Sequence, residues 1–390
     1  MLNQYRVLDL TDHRGEISGM ILGDLGADVI KVEPPQGNAG RYQGPLIADD
    51  SVPASERSLQ FAAYNRNKRS IVLDPTSVTD RGMLLAMAIG ADFVLDSGPP
   101  GNLAAYGIGF DQLRGVNPHV VHVNISPYGV DGPAADRPAN DLTQSALGGQ
   151  AALQGSPDRA PVRIIEPQEW RHAGAEAAAA ALIAHARMRV TGEAQFVDLS
   201  AQCAVTWITM NAMDAWAVQG FDFQRMGSTL QLGVSNTDLV YACADGHLVA
   251  VAVGANINAL LGHLLADEIV DERWVTEDWA TIDARRNAGE NVAFTREEVR
   301  DVLVRLFANR TKAELFQLGL ELGITLAPIN TTADLLDFEQ LTARNACNPV
   351  QLANGTTLRA PGRFAWQSVH DLEIRRPAQI LNEHGAELRT

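Results

Sequence analysis

The stretch PVRIIEPQEWRHAG at 161–174 gathers Glu166, Glu169 and His172 just ahead of an alanine-rich segment. A carboxylate at the first turn of a helix can serve as a nucleophile or as a base. The same carboxylate is also favoured there by the helix dipole alone. Glu166 precedes Pro167, which holds it in extended chain and makes it the poorer candidate. A lone helical histidine such as His172 more often packs or faces solvent. Cys203, Cys243 and Cys347 lie far apart, without CxxC or Cys/His ligand spacing. They read as reduced structural thiols, and no metal site is expected.

Phosphate-cradling and hydrolytic motifs are missing. The turn after the first apolar run offers Gly15 and Gly19 with Glu16 between them, an acid where a pyrophosphate would need amides. GxxxxGK[ST], HExxH and GxSxG are all absent.

The elements that must position these groups follow from apolar periodicity. The run at 6–10 reads as a strand, 15–25 as a helix stopped by Gly26, and 28–32 as a second strand, which makes a βαβ unit. Further strands fit 70–73, 93–95 and 120–125, with a helix near 80–89. The alternation predicts an α/β fold with a Rossmann-like parallel sheet. Alanine makes 171–188 the strongest helix, and 192–200 reads as turn and strand. The segment 204–220 is apolar on most faces, so it is expected to be buried or at a subunit interface. A hairpin is expected at 238–243 and 247–253, followed by helices at 256–266, 298–307, 312–320 and 332–336. We divide the chain into a large Rossmann-like domain at 1–220, a small α+β domain at 221–330, and a return to the large domain at 331–390.

At 390 residues, two domains are the default. A net charge of -16 removes the basic footprint a nucleic-acid partner would need. The first residues lack a secretory pattern and no apolar run reaches membrane-spanning length, so a cytoplasmic protein with no membrane partner is expected.

Five ordered blocks carry a family likeness: LGADVIKVEPP at 25–35, NRNKRSIVLD at 65–74, GPAADRPANDLTQSALGGQAALQG at 132–155, TGEAQFVDLS at 191–200 and ITLAPINTTADLL at 324–336. Taken singly, Lys31 could sit on a solvated strand end and NKRS in a charged loop. Together the blocks resemble the family III CoA-transferases, the CaiB/BaiF group. The resemblance implies an interlocked dimer, with acyl-CoA and a carboxylic acid as substrates and no tightly bound cofactor. In that family an aspartate attacks the thioester, forms a mixed anhydride, and then becomes an enzyme thioester.

Carried over residue by residue, the aspartate four positions before the glycine at Gly174 corresponds to Trp170, with Glu169 beside it. CoA contacts fall on His13 and Arg14 after the first strand, Leu73 near the adenine, Arg137 near the phosphates, and Ser97 and Gly98 before the Pro100-Gly101 turn. Two positions that are arginine in some members are Pro34 and Ala105 here. The resemblance is greatest to the sister group lacking the aspartate, as in arylsuccinate CoA-transferases. It implies a CoA-transferase subunit in a heteromer with an Asp-bearing paralogue. The alternatives are a homodimer using Glu169 and a non-catalytic acyl-CoA binding protein. An α-methylacyl-CoA racemase would place a histidine where Asn140 precedes Asp141.

Overall fold

The computed structural model describes residues 1–232, 235–352, 354–369 and 371–390. The chain packs as two units. One comprises Met1–Ala152, Val162–Phe223 and Leu336–Thr390; the other comprises Leu153–Pro161 and Gln224–Leu335.

The larger unit is built on six parallel strands: β1 (Arg6–Leu10), β2 (Asp28–Glu33), β3 (Lys68–Val72), β4 (Phe93–Asp96), β5 (Val121–Ser126) and β6 (Gln195–Ser200). Their order is β3-β2-β1-β4-β5-β6, so the direction of winding reverses between β1 and β4. Alternation along each strand divides the apolar residues between two faces. Val7, Val29, Phe93, Leu95, Val121, Val123 and Ile125 pack with α1 (Glu16–Asp24) and α7 (Glu169–Thr191). Leu8, Ile30, Ile71, Val94 and Val120 pack on the other side with α3 (Val78–Ile89) and α5 (Phe110–Val116). The intervening helices are α2 (Leu59–Tyr64), α4 (Asn102–Ala105) and α6 (Asp141–Leu147).

Alanine does more in α7 than favour the helix. Ala173, Ala177, Ala181 and Ala184 form a buried stripe, thin enough to bring the helix close to the sheet. Gly174 brings it equally close to α1: a Cβ there would lie 2.1 Å from the Ile17 Cγ2 methyl. Overpacking costs about 1–3 kcal/mol, more than the roughly 0.5–1 kcal/mol that alanine gains over glycine in a helix. Gly174→Ala is therefore expected to lower the urea midpoint despite its better helix propensity. A raised midpoint would show that the two helices can separate at no cost.

The apolar segment at 204–220, expected to be buried or at a subunit interface, is not buried within the chain. It forms α8 (Ala201–Ile208) and α9 (Met210–Gln219), interrupted at Thr209, whose hydroxyl donates to the Thr206 carbonyl at 2.8 Å. Within this chain its large side chains are exposed, Trp207 at 68% and Trp216 at 61%. The C-terminal segment returns along the larger unit. The Asn67 side chain donates to the Glu373 carbonyl at 2.8 Å, and Val72 N donates to Asn382 Oδ1 at 2.9 Å.

The smaller unit has a three-stranded antiparallel sheet of Val240–Cys243, Gly246–Ala250 and Leu326–Pro328. Helices Arg296–Ala308 and Lys312–Leu322 each begin with a capping box, Thr295 with Glu298 and Thr311 with Glu314. Trp274, Trp279 and Phe294 stack at its centre, with ring centroids 4.6–5.4 Å apart.

Candidate functional site

In an open parallel sheet, ligands bind beyond the carboxyl ends of the strands where the winding reverses. Here that point lies between the loops after β1 and β4, and both loops are tightly bonded. Ser97 Oγ accepts from Asp12 N at 2.8 Å and donates to Asp12 Oδ1 at 2.9 Å. Arg14 forks onto the same carboxylate, with Nε at 2.9 Å and Nη2 at 2.7 Å. Burial works to raise the Asp12 pKa, but the Arg14 hydrogen bonds and charge outweigh it and hold the carboxyl at about 2. His13, Arg14, Ser97 and Gly98 are thus brought together.

The first turn of α7 is tied to the same loop. Arg171 donates to the His13 carbonyl at 3.4 Å, lies 3.6 Å from Glu16 and stacks 3.8 Å over the Tyr64 ring. Leu73 lines a separate slot of about 180 Å3, with Leu10, Glu33, Pro34 and Tyr106. Arg81 also lines that slot and donates to the Pro75 and Thr76 carbonyls, both at 3.0 Å. Arg137 is exposed on the loop between β5 and α6. Among the described residues, no side-chain hydrogen bond or ion pair joins it to these loops.

Beneath the β1 loop is a buried charge network. Asp9 accepts from Lys68 Nζ at 2.7 Å and Lys31 Nζ at 3.0 Å, and from the Thr11 hydroxyl at 2.6 Å. Lys31 also reaches the Thr11 carbonyl, while Lys68 donates to the Glu16 carbonyl and Asn65 Oδ1, each at 2.8 Å. Asp9, Lys31 and Lys68 are fully buried. Lys31 is therefore not on a solvated strand end, and Lys68 of NKRS lies in β3, not in a charged loop. The cause is register, because β1 and β2 set Asp9 directly beside Lys31. Gly19 leaves the space, since a Cβ there would stand 2.3 Å from Asp9 Oδ2. Glu16 accepts from Asn65 at 2.8 Å, so this acid closes the network and does not face a phosphate cradle.

Glu169 and Trp170 point to different places. Trp170 is 3% exposed and belongs to the apolar cluster between α7 and the sheet. Glu169 is 2% exposed and faces α6. Gln150, with its amide nitrogen toward Glu169, donates to the two carboxylate oxygens at 2.5 and 3.0 Å. Glu169 N donates to Asp141 Oδ1 at 3.0 Å, so α6 caps α7, whose own N-cap Gln168 makes no side-chain cap bond. Asn140 in turn caps α6, accepting from Thr143 N at 3.0 Å.

Burial, the largest influence, raises the Glu169 pKa, and the Asp141 charge adds to it against the Ser145 hydrogen bond. A carboxyl with a raised folded-state pKa stabilises the fold most below its ordinary value of 4.5. That contribution is lost as pH rises through the folded value. Glu169→Gln is therefore expected to gain stability over the parent between pH 4 and pH 7, read as a widening gap in urea midpoints. A constant gap would mean that the carboxyl is not desolvated.

The CoA-transferase family III sequence profile matches residues 2–385. The succinyl-CoA:(R)-benzylsuccinate CoA-transferase subunit BbsE of Thauera aromatica is 31% identical over 99% of this chain and 93% of its own length. The succinyl-CoA–D-citramalate CoA-transferase of Chloroflexus aurantiacus is 29% identical over 88% of this chain and 82% of its own. A crystal structure of a CAIB/BAIF family protein from Brucella suis superposes with a TM-score of 0.84 at 28% identity, covering 100% of this chain and 98% of that one. Among the described residues, no helix is long and apolar enough to cross a membrane.

Proposed function

We propose that this chain, which belongs to CoA-transferase family III, binds acyl-CoA at the β1/β4 switch point and works beside a paralogous subunit that carries the nucleophilic aspartate. The observation that carries this reading is the divergence of Glu169 and Trp170. At the position corresponding to the family aspartate, an indole fills the core. The neighbouring carboxylate is buried and held by Gln150, so it is not free to swing to the position of the family aspartate.

CoA carries phosphate charges, and Arg81 at the Leu73 slot is a cation placed to meet them where Pro34 and Ala105 supply none. His13 and the Ser97-Gly98 turn offer the loops against which the pantetheine arm would run. The apolar surface of α8 and α9, with Trp207, Met213 and Trp216 exposed, is the face we assign to the other subunit. BbsE is itself named as a subunit, which supports the heteromer.

The test is exchange of labelled succinate into succinyl-CoA, measured for the chain alone and with the Asp-bearing paralogue. We expect exchange only with the paralogue. Full turnover by the chain alone, lost in Glu169→Gln, would replace this reading with a homodimer using Glu169.

A further inference from the structure

Arg171 stands at the first turn of α7, one residue past Trp170 and against the β1 loop. Its guanidinium carbon lies 3.8 Å from the centre of the Tyr64 ring, a stack that fixes the plane of the group. Nη1 donates to the His13 carbonyl at 3.4 Å. Glu16 lies 3.6 Å from the same nitrogen, beyond a hydrogen bond, and its oxygens accept from Asn65 at 2.8 Å and Gln60 at 3.4 Å. These polar contacts engage Nη1. Among the described residues, Arg171 Nε and Nη2 have no hydrogen-bond partner, and neither is sealed from solvent. The side chain is 13% exposed, so this edge of the guanidinium is accessible.

The larger unit itself shows what such an edge takes. Nε and Nη2 together grip one carboxylate in Arg14 with Asp12, Arg41 with Glu33, Arg66 with Asp24 and Arg69 with Asp28, at 2.6–3.2 Å. The two parallel N–H groups match the spacing of carboxylate oxygens. Arg171 offers the same fork, held in plane by Tyr64, and among the described residues no carboxylate sits on it. Glu169, the nearest acid along the helix, is turned toward α6 and Gln150. We propose that Arg171 binds an organic acid, gripping its carboxylate through Nε and Nη2 beside the loop that the acyl-CoA reading gives to CoA. The assignment rests on that reading for its place in the reaction. It makes Arg171 a specificity residue, selecting acids and acyl groups with a free carboxylate over neutral ones.

The experiment titrates succinate into the full chain with 15N-labelled arginine and follows the Arg171 Nε resonance. Succinamide, of the same length and uncharged, and inorganic phosphate, charged but tetrahedral, are the controls. Succinate is expected to shift the resonance saturably, succinamide to leave it in place, and phosphate to compete about tenfold less well or worse. Arg171→Gln should weaken succinate binding by about tenfold or more, as expected for losing a charge-assisted fork. The titration of the unmodified chain decides the matter even if the variant fails to fold. Absence of a saturable shift with succinate would overturn the assignment, and so would phosphate binding as tightly as succinate. Titrating CoA into the same chain separates the two claims. Succinate on Arg171 without CoA binding would remove the CoA reading alone, and CoA binding without a succinate shift would remove this assignment alone.

Discussion

Asp9→Ala is expected to leave the larger unit unable to fold stably. The substitution strands the Lys31 and Lys68 ammonium groups, both fully buried, without their shared carboxylate. Breaking one buried pair typically costs about 3–5 kcal/mol, and here two cations lose one partner. Domains are stable by about 5–15 kcal/mol, so the loss approaches the whole. Burial tends to raise the Asp9 pKa, but the charges of Lys31 and Lys68 and the hydrogen bonds of Lys68 and Thr11 hold it well below the carboxylate range. Its contribution is therefore present above its ordinary 3.8 and fades as pH falls toward the folded value. Replacing Asp9, Lys31 and Lys68 together with leucine and methionines should recover more stability than Asp9→Ala retains. Urea titration followed by circular dichroism reads all three proteins. A stable Asp9→Ala chain would show that water reaches the two lysines.

The second large effect concerns the position where a nucleophile would have been sought. Trp170→Asp does not create an active transferase; it should unfold the chain. Removing a buried tryptophan costs about 3–5 kcal/mol, and the introduced carboxylate would replace an indole that is buried in the apolar cluster between α7 and the sheet. Trp170→Phe should retain the fold with a lowered thermal midpoint. Soluble Trp170→Asp protein with exchange activity of its own would mean that the indole blocks a working site and is not a core residue.

These effects mark what the sequence could and could not disclose. RVLDL reads as a strand because its apolar residues fill both faces, and the alanine spacing gives α7. The same alternation hides Asp9 and Lys31: each is one charge in an apolar run, and only the register of β1 against β2 makes them partners. The blocks LGADVIKVEPP and NRNKRSIVLD in fact contain Lys31, Glu33, Asn65 and Lys68, all buried, so part of the family likeness is a buried polar framework. His122 and Asn124 are invisible for the same reason, since VHVN looks like one more apolar strand until β4 sets Asp96 beside it. The segment at 204–220 was legible as apolar. Its exposure within the chain was not, and the break at Thr209 is a local hydroxyl bond that periodicity does not carry. The helix start at Glu169 is legible from the alanine-rich run that follows, but its partner Gln150 lies 19 residues away on a 3-10 turn without pattern.

The most direct test is to find where the acyl chemistry leaves its mark. The chain, alone and mixed with an Asp-bearing paralogue, is incubated with succinyl-CoA and quenched with borohydride. Borohydride reduces an enzyme thioester to an alcohol, which peptide mass spectrometry then locates. The expected adduct lies on the paralogue's aspartate, with Glu169 unmodified in both samples. A reduced Glu169 in the chain alone would contradict the account.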